Sequence, residues 1–313
     1  MKSESQIMTY LNLGSERRGN LGNQLFQIAS TIGLAKTHDY DVYFNDWPFF
    51  KYFDFDFKIL NKKRQFKTIA EQHYHYYNWT IEGAYVAIDG WLQSEKYFEN
   101  SDIKSVFKFK DKYLKEAREY FEMRACERPG LLISIRRGDF VNNPNYYQLE
   151  YYDYFFVLLK EFPNWRKYTL FISSDDIQYC KDKLGFLKNV VFIDEISPIK
   201  ILALSTLMQH CIISNSTFSW WLAFLLEKEG SIILRPEKNF SIEYCLQNND
   251  KDYYPSRWRV FSSKRNFFEL IKLFNRNNFW ALAYFGAKLW FRAKWQFIWK
   301  KINGVTKLSA IFR

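Results

Sequence analysis

The chain has little of what metal centres and nucleophilic hydrolases require. Its 313 residues include four cysteines, scattered without a Cys-x-x-Cys pair, and four histidines whose spacing fits neither a metal site nor a catalytic triad. The sequence contains no Gly-x-Ser-x-Gly element, no phosphate-binding P-loop and no zinc-finger pattern. These absences exclude the enzyme classes that such motifs define. The isolated cysteines indicate reduced thiols in a cytosolic protein.

The sequence also lacks a continuous apolar segment of membrane-spanning length. The first fourteen residues contain no hydrophobic signal core, so export is not expected. Residues 201–226 carry no charged side chain, but six Ser or Thr and three other polar residues interrupt them. A buried helix, strand and second helix therefore explain this stretch better than a membrane span.

Aromatic residues and basic residues are plentiful, and the basic ones are concentrated at one end. The composition is 20% aromatic and 48% apolar, enough for a large core in two domains. Residues 264–313 hold eleven Lys or Arg, one Glu and four Trp, so they carry +10 of the total net charge of +11. This basic, aromatic, helical tail suits an anionic membrane surface, although packing on the protein body is an alternative. Nucleic-acid binding is not predicted, because no RNA-reading motif accompanies the charge.

Short apolar runs alternate with helical patterns along most of the chain, although no order is predicted for residues 47–80. A polar loop at 17–24 leads into a helix that ends near residue 36. After residue 130 the alternation is regular, with strands at 131–136, 168–173, 190–194, 211–214 and 231–235, and helices at 150–161, 176–185, 198–209 and 217–228. This order predicts a parallel sheet covered on both faces, which binds ligands at the carboxyl ends of its strands.

Polar residues follow several of these strands. Arg136 and Arg137 precede a glycine, and an arginine guanidinium presents a fork of donors that suits phosphate. The alternative is that both arginines are surface cations paired with Asp or Glu. Asp139 either orients Arg137 or acts as a base. The acidic pair at 175–176 is interpreted as a helix cap.

Two helix starts are candidate ligand sites. Ser216 or Thr217 occupies the N-cap of a helix, where unpaired N–H groups and the helix dipole favour an anion. Asn23 and Gln24 lie in the glycine loop before the first helix, where they either cap that helix or hydrogen-bond a ligand. A metal on the Asp-x-Asp element at 54–56 is not expected, since such short matches arise by chance.

Five segments together resemble the motifs of glycosyltransferase family 11, the α-1,2-fucosyltransferases. They are residues 19–27 (family pattern GxLGNQxFQ), 89–98 (DGYxQSEKYF), 134–140 (HxRRGDY), 173–176 (SDD) and 214–225 (SNSTFSWWGAWL). Three positions differ from those patterns. Ser134 replaces the family histidine, Phe140 replaces a tyrosine and Leu222 replaces a glycine.

The resemblance implies a GT-B-type fold of two Rossmann-like domains with a cleft between them. It also implies an inverting transfer of L-fucose from GDP-fucose, without a metal, to the 2-hydroxyl of a galactose acceptor. Arg137 and Asp139 are the expected catalytic residues. The expected donor-binding residues are Asn23, Gln24, Ser134, Arg136, Arg137, Asn215, Ser216, Thr217 and Ser219.

The resulting expectation for the whole chain has three parts. Residues 1–127 form the acceptor domain, 128–263 the donor domain and 264–313 the membrane-associating tail. The acceptor is a galactose-terminated glycan of O-antigen or capsule synthesis, either free or lipid-linked. The protein then works in the cytoplasm at the inner face of the plasma (inner) membrane. A catalytically weak nucleotide-sugar-binding protein of the same fold is the alternative.

Overall fold

Two parallel sheets organise the part of the chain that the computed structural model describes, residues 6–15, 19–61 and 64–262. The first sheet has the strand order β2-β1-β4-β3 and the second the order β10-β9-β8-β5-β6-β7. The strands are β1 (Ile7–Thr9), β2 (Asp41–Val42), β3 (Lys67–Ala70), β4 (Tyr85–Asp89), β5 (Gly130–Ile135), β6 (Thr169–Ser174), β7 (Val190–Ile193), β8 (His210–Ile212), β9 (Ile233–Pro236) and β10 (Arg259–Phe261). The predicted tail at 264–313 lies outside the described residues.

Every strand pair in both sheets is parallel. Parallel neighbours need crossover connections, which place helices over the faces of a sheet. All six residues of β5 are buried, as expected for a central strand covered on both faces. Because the strands of each sheet run in one direction, their carboxyl ends share one edge.

The helices that cover these sheets agree with the alternation predicted from the sequence. They are α1 (Leu21–Thr37), α2 (Ile103–Val106), α3 (Asp111–Ala125), α4 (Tyr151–Glu161), α5 (Ile177–Leu184), α6 (Pro198–Ser205), α7 (Thr217–Leu226) and α8 (Ile242–Cys245). Most predicted bounds differ by a few residues. After Ser94 the chain forms a single 3-10 turn at Glu95–Tyr97. Strands β3 and β10 were missed, because both are short edge strands with mostly exposed side chains.

Helices α1 and α7 form the centre of the molecule. Thirteen of the seventeen residues of α1 are buried, and so are seven of the ten residues of α7. A helix that is buried on almost all sides has no polar face, which explains why α7 is uncharged and why Lys36 is the one charged residue of α1. Phe26 of α1 packs between Trp220 and Trp221 of α7, with ring centroids 4.5 and 5.1 Å apart. One apolar core therefore joins residues of both sheets.

The chain returns to the first sheet before it reaches β10. Arg257 donates to both carboxylate oxygens of Glu95, at 2.7 and 2.8 Å, and also to Glu227 at the end of α7. Lys96 forms an ion pair with Asp252 at 2.6 Å. These contacts hold the second half of the molecule against the first.

The described residues contain no helix with the length and apolar character needed to cross a bilayer. All four cysteines have free thiols, and two of them, Cys180 and Cys211, are buried. Burial raises the pKa of the Cys180 thiol to about 11, so it is protonated and unreactive at neutral pH.

Replacing Trp220 should destabilise the whole molecule. Its indole is fully buried against Phe26 and donates a hydrogen bond to the carbonyl of Tyr253 at 2.9 Å. We expect Trp220→Ala to lower the free energy of unfolding by about 3–5 kcal/mol, measured by urea denaturation. Leu246→Ala is the control, because Leu246 is 85% exposed and its truncation should change stability by less than about 0.5 kcal/mol. Equal effects would contradict a shared core.

Candidate active site

The first turns of α1 and α7 are in direct contact. A Cβ atom added to Gly22 of α1 would lie 2.4 Å from the backbone nitrogen of Phe218 and 2.6 Å from the carbonyl carbon of Thr217. Only glycine permits such a close approach between two backbones. The start of α1, which follows β1 of the first sheet, therefore contacts the start of α7, which follows β8 of the second sheet.

Two helix N-termini consequently lie side by side with little negative charge to balance them. Neither helix has an acidic residue in its first turn. Asn20, at the N-cap of α1, makes no capping bond through its side chain. Each helix start carries about half a positive charge, so their proximity favours a bound anion.

The polar side chains around the start of α7 form a buried hydroxyl cluster. Ser216 is the N-cap of the helix, as predicted, and its hydroxyl accepts from the backbone N–H of Ser219 at 3.1 Å. The Ser219 hydroxyl lies 2.7 Å from those of both Ser134 and Ser214. All four serines are at most 8% exposed. Their hydroxyls form hydrogen bonds with one another. Thr217, the next residue after the N-cap, is partly exposed.

Ser134 is the member of this cluster that comes from β5, an inner strand of the second sheet. It is the fifth residue of β5, and its hydroxyl bond to Ser219 ties the end of β5 to α7. The sequence predicted a donor contact for Ser134. In the structure its observed partner is another protein hydroxyl.

Arg136 follows β5 and is paired with two carboxylates. Its guanidinium lies 2.5 Å from Asp139 and 3.2 Å from Asp175. Its Nε–H is buried and has no hydrogen-bond partner among the described residues. An unpaired donor on a cation is costly to bury, so a ligand oxygen would be a stabilising partner there.

Arg137 is the more deeply placed of the two arginines. Its guanidinium carbon lies 3.5 Å from the ring centroid of Tyr179, and its Nε donates to Asp176 at 3.4 Å. Glu150 lies 3.9 Å from Nη1 and also accepts from the Tyr179 hydroxyl. The pairing of cations with carboxylates, which the sequence left open, therefore occurs at both arginines. Asp176 is also the predicted helix cap, because it accepts from the backbone of Tyr179.

Asp139 is accessible but engaged. Its side chain is 65% exposed and lies 2.5 Å from Arg136. The sequence predicted Arg137 as the arginine that Asp139 orients, whereas the observed partner is Arg136. To act as a base, the same carboxylate would have to accept a proton while it remains next to that guanidinium.

The side chains of Gln24 and Asn215 form hydrogen bonds within the protein. The Gln24 amide donates to the carbonyl of Gly19 at 3.0 Å and accepts from the Trp47 indole at 2.8 Å. The Asn215 amide donates to the carbonyls of Tyr147 and Asn239, at 3.1 and 2.7 Å. Both residues shape the loops around the site.

Asn23 begins a hydrogen-bond chain that crosses from one sheet to the other. Its Oδ1 accepts from Gln93 Nε2 at 2.9 Å, and Gln93 Oε1 accepts from the Tyr74 hydroxyl at 2.6 Å. The Tyr74 oxygen in turn accepts from Asn239 Nδ2 at 2.9 Å. Burial raises the pKa of Tyr74 well above its ordinary value, so this hydroxyl stays protonated and can donate.

This chain contains site residues that the sequence did not single out. Tyr74 follows β3 in the stretch whose order was not predicted, and Asn239 follows β9 in a loop without a motif. Gln93 lies within the family-like segment at 89–98. That motif was the one feature of the sequence that could have identified it as a site residue. All these residues follow the carboxyl ends of strands, where a ligand site was expected.

No group of three or more His, Cys, Asp or Glu side chains in the described ranges is arranged to hold a metal ion. Asp54, the first residue of the Asp-x-Asp element, is instead paired with Lys108 at 3.7 Å.

The architecture is that of the GT-B fucosyltransferases. The structure is similar to POFUT1 in complex with GDP, with a TM-score of 0.52 and 12% identity over 74% of this chain and 99% of that chain. For POFUT1 in complex with GDP-fucose, the TM-score is 0.50 and the identity 10%, over 74% and 98% of the two chains. The predicted GT-B-type α/β fold is therefore confirmed.

Residues 12–260 match the model of glycosyl transferase family 11, and the chain belongs to that family. It is 28% identical to an α-1,2-colitosyltransferase of Escherichia coli over 60% of this chain and 67% of the relative. It is 27% identical to the O-antigen biosynthesis glycosyltransferase WbnK of Escherichia coli, over 35% and 38%. It is 23% identical to a galactoside 2-α-L-fucosyltransferase of Caenorhabditis elegans, over 79% and 78%.

Removing the Tyr74 hydroxyl should weaken the link between the two sheets. In Tyr74→Phe, Asn239 Nδ2 and Gln93 Oε1 each lose a partner, which should lower the free energy of unfolding by about 1–3 kcal/mol in urea denaturation. Tyr40→Phe is a matched control that removes a hydroxyl bonded to the exposed carbonyl of Gly83. We expect it to cost less than about 0.5 kcal/mol. A Tyr74→Phe cost no larger than the control would show that the chain of bonds is not stabilising.

Proposed function

We propose that this protein transfers L-fucose from GDP-fucose to the 2-hydroxyl of a terminal galactose, with inversion at the anomeric carbon. The observation that carries the proposal is the contact of two helix N-termini at Gly22, without an acidic residue in either first turn. That arrangement suits a diphosphate, which carries several negative charges. Family membership supplies the reaction class.

The proposed reaction is one displacement. The galactose 2-oxygen forms a bond to the fucose anomeric carbon while the bond from that carbon to the diphosphate oxygen breaks. Negative charge grows on the departing GDP, so fixed positive groups next to it lower the barrier. The two helix starts and Arg137 are the proposed sources of that stabilisation. The buried, unpaired Nε–H of Arg136 is a further donor within the same segment. We propose that no metal takes part.

The proton of the galactose hydroxyl needs an acceptor as the new bond forms. We propose Asp139, because its side chain is the most exposed of the carboxylates paired with the two arginines. Its contact with Arg136 at 2.5 Å holds the carboxylate beside the arginine pair.

The names of two relatives support transfer to a 2-hydroxyl, and the third is named for O-antigen biosynthesis. We therefore propose an acceptor of surface-polysaccharide synthesis that ends in galactose. The α-1,2-colitosyltransferase makes colitose the specific rival to fucose as the transferred sugar. Parallel assays with GDP-fucose and GDP-colitose decide between them. Donor binding without transfer to any galactoside would favour the catalytically weak alternative.

Arginine substitutions test the diphosphate site. We expect Arg137→Ala to lower the turnover of GDP-fucose with a galactoside by about 100-fold, because the developing charge on GDP loses a fixed cation. Arg137→Lys should recover only part of that loss, since lysine lacks the planar fork. Turnover is measured as GDP release coupled to product formation, in buffer containing EDTA.

The matched control for Arg137→Ala is Arg166→Ala. Arg166 also stacks on an aromatic ring, Trp165, at 5.1 Å, but it precedes β6 and lies at the amino edge of the sheet. Its removal should leave turnover within about twofold. Thermal denaturation of both variants separates lost catalysis from lost folding, because Asp176 and Glu150 lose a cation in Arg137→Ala. Near-wild-type turnover in folded Arg137→Ala would refute the assignment.

We also propose that residues 264–313 hold the enzyme at the cytoplasmic face of the inner membrane, where a lipid-linked acceptor would be found. Their eleven basic residues and four tryptophans are the support. Full-length protein should float with vesicles containing anionic lipid, and residues 1–263 should not. Flotation should weaken at high salt, because the attraction to anionic lipid is electrostatic. Equal flotation of both proteins would remove the role of the tail.

A further inference from the structure

Trp91 differs from every other tryptophan in the described ranges of the chain. Its side chain and backbone together are 36% exposed, and the six others are at most 6% exposed: Trp47, Trp79, Trp165, Trp220, Trp221 and Trp258. Packing within the protein accounts for those six. The contacts that enclose the other six leave 36% of Trp91 exposed just beyond the end of β4, where a ligand can reach the indole.

The turn that carries Trp91 is held rigidly. The carboxylate of Glu71 accepts from the backbone N–H of Trp91 at 2.7 Å and from that of Leu92 at 3.0 Å. The Tyr10 hydroxyl donates to the carbonyl of Gly90 at 2.8 Å. The strands β1 and β3, which flank β4, thus each supply a side chain that fixes this turn.

The same turn is strained. Leu92 has a φ of +54°, in the left-handed region that bulky residues rarely adopt. Such a conformation is unfavourable and persists where surrounding contacts impose it, often beside functional sites. The Leu92 side chain is fully buried, so the strained backbone sends Leu92 into the core and leaves Trp91 outside.

Trp91 is close in the chain to a residue of the candidate active site. Gln93, two residues further on, donates to Asn23 at the start of α1 and so belongs to the hydrogen-bond chain between the sheets. Leu11, which follows the neighbouring strand β1, is also 36% exposed. The carboxyl edge of the first sheet therefore offers apolar surface next to a polar site.

We infer that Trp91 is an acceptor-binding residue, on which the galactose ring of the acceptor stacks. One face of a galactose ring presents a patch of C–H groups, and an indole is the largest flat apolar surface that a side chain offers to it. The anion site of the donor lies at the helix starts, so an aromatic surface on the first sheet suits the other, uncharged substrate. This inference rests on the proposed function, because it presumes a galactoside acceptor.

Kinetics of the full-length chain with GDP-fucose and lactose test the assignment. Trp91→Ala should raise the KM for lactose at least tenfold and leave the KM for GDP-fucose within twofold. Trp91→Phe should be intermediate, since it keeps a smaller ring. Phe55→Ala is the matched control, because Phe55 is an exposed aromatic residue of the same half of the chain, at 44%. It should leave both constants unchanged.

A binding measurement keeps the test independent of turnover. Saturation-transfer NMR of lactose on the GDP-loaded protein should show contact to the galactose C–H protons, and Trp91→Ala should lose it while Phe55→Ala keeps it. Unchanged lactose binding and KM in folded Trp91→Ala would overturn the inference, as would a parallel rise in both KM values. Failure of the proposed function is a different result, in which the wild-type protein binds lactose through Trp91 but does not use GDP-fucose.

Discussion

The contact between the first turns of α1 and α7 is the constraint on which the rest of the structure depends. Gly22 brings the backbones of the two helices together where any side chain would collide with Phe218. The pairing of Phe26 with Trp220 and Trp221 continues this contact along both helices. Because each helix follows a strand of a different sheet, this contact also brings the carboxyl edges of both sheets together.

In that geometry, some polar residues of the candidate site stabilise the helix starts and others are the groups that we propose for ligand binding. The serine hydroxyls around Ser219 are buried and mutually bonded, so the side chains of this turn support the start of α7. What remains for a ligand is the positive end of each helix and the donors of Arg136 and Arg137. The hydrogen-bond chain through Tyr74 then links the loops that follow β3 and β4 of the first sheet to the loop that follows β9 of the second.

The sequence predicted a large part of the fold and the edge on which the site lies. Alternating apolar runs located the strands of the second sheet and most helices, because each repeat of a parallel sheet is encoded locally. Small polar residues after Ile213 identified the start of α7, and Ser216 is its cap. Residues 47–80 resisted prediction because their aromatic side chains pack against distant parts of the chain, such as Phe240 against Tyr74.

The sequence by itself determined the parallel α/β architecture, the family and the segments that carry its motifs. It could not decide which side chains of those segments are free to bind a ligand and which bond to the protein. The residue type of a serine or an arginine is the same in both cases. Only the tertiary structure decided that Ser134 faces Ser219, that both arginines are paired with carboxylates, and that Trp91 alone among the described tryptophans is exposed. Each of these outcomes depends on contacts between residues far apart in the chain, which folding alone brings together.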